Sequence, residues 1–148
     1  MPLWLIYHPD GTFEDDASKG AFAADITKFY TQVGLPAFYV VVNFVKMSES
    51  TVWIGGEKPK EPFVRISIDH IAVNLPNDDK IYRETADGID AVLKPHLEDK
   101  GYRSEFHVNE TDKRLWKTYG FYAPPFGSED EKTWARENKA SPWEKGSL

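Results

Sequence analysis

The chain has 148 residues, 41% hydrophobic and 28% charged, with a formal net charge of −6. That composition fits a globular domain of ordinary size, and without a basic stripe it argues against a nucleic-acid partner. The absence of cysteine excludes a disulfide scaffold, a thiolate zinc site and a thiol nucleophile, and no apolar run approaches the ~20 residues of a membrane-spanning helix.

Leu3-Trp4-Leu5-Ile6-Tyr7 is a short apolar run ended by the turn-forming His8-Pro9-Asp10-Gly11, and it predicts a buried strand. The run is too short for a secretory h-region and is soon followed by acidic residues, so a cytoplasmic protein is expected. A helix follows, with Thr12 as its expected cap and Glu14, Asp15 and Asp16 in the first turn, where carboxylates suit the helix dipole. Phe22, Ile26, Phe29, Tyr30 and Val33 recur at helical spacing and define its buried face, and Gly34 and Pro36 close it. Phe38 to Val45, rich in β-branched and aromatic residues, predicts a central strand parallel to the first. Residues 2–45 thus read as one β-α-β unit.

Thr51-Val52-Trp53-Ile54 with Gly55-Gly56 reads as an edge strand or hairpin arm. The pattern then repeats. Pro62 to Ile68 alternates as a strand, and Pro76 to Asp79 opens a helix whose buried face is Ile81, Thr85, Ile89, Val92 and Leu93. Pro95 should divide that helix, Gly101 follows it, and Arg103 to Val108 is the next strand. The second unit covers about residues 62–109, in the same element order as the first, which is the mark of an internal duplication. The tail, 110–148, combines a helical turn or two within 112–118, an irregular Pro-rich stretch and a helix opened by the capping-box spacing of Ser128 and Glu131. Trp134 and Trp143 predict that it wraps over its own or a neighbouring subunit. The expected fold class is α+β, one domain over 1–148 of tandem β-α-β units with a short helical C-terminal tail.

Pro2, Val42-Asn43-Phe44, Val52-Trp53-Ile54-Gly55-Gly56, Phe63-Val64 and Tyr119-Gly120 stand in this order along the chain. On these pieces and the tandem units, roughly residues 2–127 resemble the tautomerase superfamily, and within it the cis-3-chloroacrylic acid dehalogenase family. The resemblance implies a homotrimer and a site free of metal and cofactor, centred on an N-terminal proline: Pro2, once Met1 is removed. Such a proline carries a secondary amine with an ordinary pKa near ~8, so a modest shift decides whether it takes or gives a proton.

Where the family has a His on the first helix, this chain has Tyr30. Where it has an Arg pair that binds the substrate carboxylate, this chain has Asp69-His70-Ile71-Ala72-Val73. A Tyr of the last main strand becomes His107, and the water-activating Glu becomes Thr118. The resemblance therefore points to Pro2 as the catalytic residue and to Tyr30, Arg65, His70 and His107 as substrate-binding candidates. The residues themselves leave alternatives open. Tyr30 fits a packed core ring as well as a pocket wall, and Arg65, the nearest cation to the lost Arg pair, fits an ordinary salt bridge. Arg65 and His70 fall on opposite faces of their strand, and His107 faces away from Phe106 and Val108. Glu110 and Arg114 read as solvated charge. His8, His70, His96 and His107 lack ligand spacing, so no metal is expected. The function implied is a proline-based tautomerase or dehalogenase-like enzyme acting on a small enol, keto or unsaturated acid. The alternative is a non-catalytic trimeric binding or scaffold protein.

Overall fold

The computed structural model describes residues 1–143. Four strands form one mixed sheet: β1 (Pro2–Pro9), β2 (Val41–Met47), β3 (Phe63–His70) and β4 (Arg103–Glu110), in the spatial order β2-β1-β3-β4. β1 runs parallel to β2, β3 runs parallel to β4, and the two pairs meet antiparallel through β1 and β3. Each parallel pair needs a crossover, and α1 (Asp16–Thr31) and α2 (Asp79–Leu93) supply it. This is the tandem β-α-β architecture that the sequence predicts.

Alternation along the strands decides which sheet face the helices cover. Trp4, Ile6, Val64, Ile66 and Ile68 are all fully buried on one face, against Phe22 and Ile26 of α1 and Ile89 of α2. The other face carries Leu3, Leu5 and Tyr7 of β1 beside Arg65, Ser67 and Asp69 of β3, and none of these is fully buried. The helices approach each other closely at Gly88, where an added Cβ would lie 3.0 Å from the Phe29 ring.

Three local expectations are corrected. Asp15, not Thr12, caps α1, accepting from the Ser18 N–H at 2.6 Å. Thr12 instead closes the preceding turn, donating to the Pro9 carbonyl at 2.6 Å. β2 lies at a sheet edge rather than in the centre, because β1, its one strand neighbour among the described residues, pairs with β3 on its other side. Residues 52–57 form no strand: Ile54 and Glu57 make a single bridge around Gly55 and Gly56, both at positive φ. The helical turn expected within 112–118 is present as the 3-10 turn Lys113–Leu115, and Lys117–Thr118 (β5) then pairs with Phe121–Tyr122 (β6) around Tyr119-Gly120.

Pro95 acts as expected: α2 stops at Leu93 and continues only as two short 3-10 turns, which Gly101 closes in the left-handed region. The tail helix α3 (Glu129–Glu137) is capped by Ser128. It folds back on its own chain. Trp134, 1% exposed, packs against Phe38, Tyr39 and Phe121, and Asn138 Oδ1 accepts from the Phe38 N–H.

Candidate active site

The antiparallel β1–β3 pairing sets Pro2 directly opposite His70. Both point to the helix side of the sheet. Tyr30, near the end of α1, reaches the same place: its hydroxyl accepts from the Trp4 indole N–H at 2.9 Å and meets His70 Nε2 at 2.8 Å. With one proton of its own and one bond already accepted, the hydroxyl donates to a neutral His70. Burial depresses the His70 pKa, more than Glu110 raises it, and burial pushes the Tyr30 phenol well above its usual range. Both are therefore uncharged at neutral pH.

Pro2, Tyr30 and His70 lie along a cleft of about 400 Å³. The rest of its lining is chiefly apolar, from Phe29, Val33 and Leu35 after α1, Ile71 to Leu75 after β3, and Phe126 of the tail. Val33, expected in the core, is 60% exposed and forms part of this wall. Among the described residues no Arg or Lys lines the cleft. Met1 packs against the core beside it, and its carbonyl accepts from the Ile71 N–H at 3.2 Å. Burial, with Lys113 nearby, lowers the Met1 amine to about 4. A free amine in this neighbourhood is thus held strongly toward its neutral form.

Residues 1–139 match the model of a family described as "Putative oxalocrotonate tautomerase enzyme". The chain belongs to this tautomerase family. Among solved structures, native RhCC from Rhodococcus jostii RHA1 is 36% identical, with a TM-score of 0.90 over 95% of this chain and 99% of that one. A protein of the thermophilic fungus Aspergillus fumigatus, described as "a probable enzyme", is 40% identical, with a TM-score of 0.87 over 97% and 98% of the two chains. N1, a member of the cis-3-chloroacrylic acid dehalogenase family, shares the fold at 16% identity and a TM-score of 0.68, over 92% and 97% of the two chains. No curated protein sequence matches.

In this tautomerase chain the sheet separates the five residues singled out from the sequence. Pro2, Tyr30 and His70 come together. Arg65 and His107 lie on the opposite, open face, where Arg65 Nη2 meets His107 Nδ1 and Arg65 Nε pairs with Glu105 at 3.3 Å. Ser67, Asn109 and Asp69 extend that polar row. Among the described residues no three His, Asp or Glu side chains converge as metal ligands would. Nor is any helix of the described residues long and apolar enough to cross a membrane.

Two residues of the tail, to which the sequence reading gave no site role, carry partly or fully buried charged groups. Lys113, half-buried, donates to the Pro124 carbonyl at 2.5 Å, and burial lowers its pKa. Glu131, 1% exposed, accepts from the Gly127 N–H at 2.7 Å, and burial raises its pKa. The charges of both act on the Met1 amine. Only the capping-box spacing marked Glu131 in the sequence, and that signal predicts a helix start rather than a buried acid.

Proposed function

We propose that this chain, once Met1 is removed, is a proline-based tautomerase acting on a small enol or keto carboxylic acid, with Pro2 as general base. The observation that supports it best is Pro2 itself, buried at an apolar cleft where its polar neighbours are two uncharged groups, Tyr30 and His70. Removing Met1 converts the Pro2 nitrogen from an amide into a secondary amine. Its ordinary pKa of ~8 falls on burial, so the amine is neutral at pH 7 and free to accept a proton. Two uncharged neighbours do not stabilise its ammonium form. Proton transfer of this kind contributes roughly 10²–10⁴-fold in rate. Tyr30 and His70 hold the cleft wall and offer a hydroxyl and an imidazole to substrate oxygen. Three copies assemble around their open sheet faces, and the cytoplasm is the compartment this reading fits.

A second reading, a trimeric binding or scaffold protein, draws on the cleft's lack of Arg or Lys. Intact mass of the natural protein separates the two first, because a retained Met1 leaves no amine at Pro2. The proline reading expects a chain beginning at Pro2 whose solvent exchange of a 2-oxo acid's C3 protons is lost in Pro2→Ala. Exchange unchanged in that variant refutes it.

A further inference from the structure

The hydrogen-bonded series Trp4, Tyr30 and His70 fixes where its protons lie. The Trp4 indole N–H is a donor only, so the Tyr30 hydroxyl, 2.9 Å away, must accept from it. Tyr30 is 4% exposed, and its hydroxyl has one further partner among the described residues, His70 Nε2 at 2.8 Å. Were Nε2 the donor there, the hydroxyl would accept twice, and its own proton would be buried without an acceptor, which is costly. The hydroxyl therefore donates, and Nε2 is the accepting nitrogen. A neutral imidazole carries one N–H, so the proton of His70 stands on Nδ1.

That proton has no acceptor among the described residues, although the His70 side chain is only 8% exposed. Nor is Nδ1 sealed into the core: the ring lines the cleft, and its N–H is open to what the cleft holds. Pro2 stands directly opposite His70 in the antiparallel β1–β3 pair, a relation that sets Cβ atoms about 4.5–5.5 Å apart on one face of a sheet. A carbonyl oxygen and its α carbon are two bonds apart. One substrate can thus present the oxygen to the imidazole and the α C–H to the amine. Gln32 and Thr85, the other polar side chains of the lining besides Tyr30, belong to the end of α1 and to α2 and have no such place opposite Pro2.

We propose that His70 is a catalytic electrophile of the mature chain: as a neutral imidazole it donates its Nδ1–H to the C2 oxygen of a 2-oxo acid, and Tyr30 is the positioning residue that keeps the proton on Nδ1. This rests on the proline-based reading and deepens it. The Pro2 amine takes a proton from C3. The C3–H electron pair forms the C2–C3 π bond, and the carbonyl π pair moves to the C2 oxygen. The enolate oxygen is held by the Nδ1–H bond, and no proton leaves the imidazole. Return of a proton from the Pro2 ammonium to C3 reverses the electron movement and restores amine, imidazole and 2-oxo acid. In deuterium oxide the returned nucleus is a deuteron once the ammonium has exchanged with solvent. A neutral imidazole is able to polarise a carbonyl, and it avoids burying an imidazolium charge in an apolar cleft.

The test uses the full chain beginning at Pro2, labelled with nitrogen-15, and the variants Pro2→Ala, Tyr30→Phe, His70→Leu and His70→Asn in that form. 2-Oxobutanoate is the probe. Long-range proton–nitrogen correlation identifies the protonated ring nitrogen of His70, and loss of the C3 proton signal in deuterium oxide gives kcat and KM. The parent should carry the His70 proton on Nδ1, and the probe should shift the signal of that nitrogen. Tyr30→Phe should spread the proton over both nitrogens and lower kcat about tenfold, with KM within about threefold of the parent. His70→Leu should lower kcat roughly 10²–10³-fold, the usual effect of removing one donor to a developing oxyanion, and His70→Asn, whose amide N–H falls near the Nδ1 position, should recover about tenfold of that loss. A parent proton on Nε2 overturns the proposal. Turnover in His70→Leu within about threefold of the parent, while Pro2→Ala is slow, overturns the role of His70 and leaves the proline reading standing. Exchange lost in His70→Leu but kept in Pro2→Ala overturns the proline reading and leaves His70 as the group on which the reaction depends. Backbone amide spectra of each variant, dispersed like those of the parent, guard against reading misfolding as lost catalysis.

Discussion

Tyr30 and His70, forty positions apart in the chain, share a 2.8 Å hydrogen bond beside Pro2, and the Trp4 indole donates to the same hydroxyl. Tyr30→Phe leaves the Trp4 N–H without an acceptor in a fully buried position. An orphaned buried donor costs about 1–3 kcal/mol. Urea denaturation at pH 7.5 should show a loss of that order. A change under about 0.3 kcal/mol would mean that the hydroxyl is not the acceptor.

Burial depresses the pKa of His70, and of His8 as well, below the ordinary imidazole value of about 6.5. Above that value neither the folded nor the unfolded chain binds the proton, and the two histidines add no pH dependence. As pH falls through 6.5 toward the lower folded value, the unfolded chain takes up protons that the native one refuses, so stability declines. Urea midpoints between pH 7.5 and 5 should fall, and His70→Gln should flatten the slope without abolishing it, since His8 remains. An unaltered slope in His70→Gln would contradict the assignment.

Glu131 predicts the opposite trend. Its pKa is raised above the usual carboxylate range, first by burial. A raised folded pKa stabilises most below the unfolded value, and that contribution is lost as pH rises through the folded one. Glu131→Gln keeps an oxygen for the Gly127 N–H and never ionises. The variant should equal or exceed the parent in urea midpoint at pH 8, with its advantage shrinking toward pH 5. A variant less stable at pH 8 than at pH 5, relative to the parent, would show that the carboxylate is well accommodated.

The tail's attachment is testable at Trp134, which is 1% exposed and whose indole N–H donates to the Ser141 carbonyl. Trp134→Ala removes a large buried ring, at a typical cost of about 3–5 kcal/mol. It should also expose Phe38 and Tyr39 and admit proteases to the tail before the sheet. Limited proteolysis with mass mapping reads this directly. Simultaneous cleavage throughout would show that tail and sheet unfold together.

The elements were readable because both β-α-β units obey their own periods: alternation along Val64, Ile66 and Ile68, helical spacing along Phe22, Ile26 and Tyr30. Alternation also foretold that Arg65 and His70 part company across the sheet. The convergence of Pro2 with His70 was not readable, because it depends on β1 and β3 pairing antiparallel across sixty-odd intervening residues, which no local pattern dictates. The edge position of β2 was hidden for a related reason. Val41 and Val45 are apolar on the open face, and a sequence does not say whether that face is covered by its own chain or by another copy. Thr12 and Asp15 are both good caps, and only the turn, with Phe13 at positive φ, decides between them. Glu131 was beyond reach because its burial comes from Tyr39 and the tail's return path.

The open face carries Leu3, Leu5 and Tyr7 between Val41, Asn43 and Val45 of β2 and the polar row of β3, and among the described residues it has no helical layer. Apolar sheet surface must be covered, and association of three copies through this face is the arrangement proposed here. Light scattering at micromolar concentration should give three times the 16.9 kDa chain mass. Leu5→Lys, directly beside Asn43 and Ser67 in the sheet, should dissociate it. A monomeric parent protein would refute the trimer.

Hydrolytic dehalogenation of cis-3-chloroacrylate should be very weak or absent even where tautomerisation is measurable. The reaction needs a held carboxylate, an activated water and a proton donor. The segment that replaces the Arg pair supplies no cation: Asp69 sits on the open face and accepts from Asn109, while Ile71, Ala72 and Val73 give the cleft apolar wall. Thr118, in the β5–β6 hairpin, has no basic group with which to deprotonate water near neutral pH. Glu131 does not stand in, because it is not among the residues that line the cleft. Loss of a general base costs roughly 10²–10⁴ in rate, and the missing clamp adds to that. Chloride release and 2-oxo acid exchange, measured on one preparation beginning at Pro2 across pH 6 to 9, decide the matter. Rapid chloride release that is lost in Pro2→Ala would show that another group activates the water.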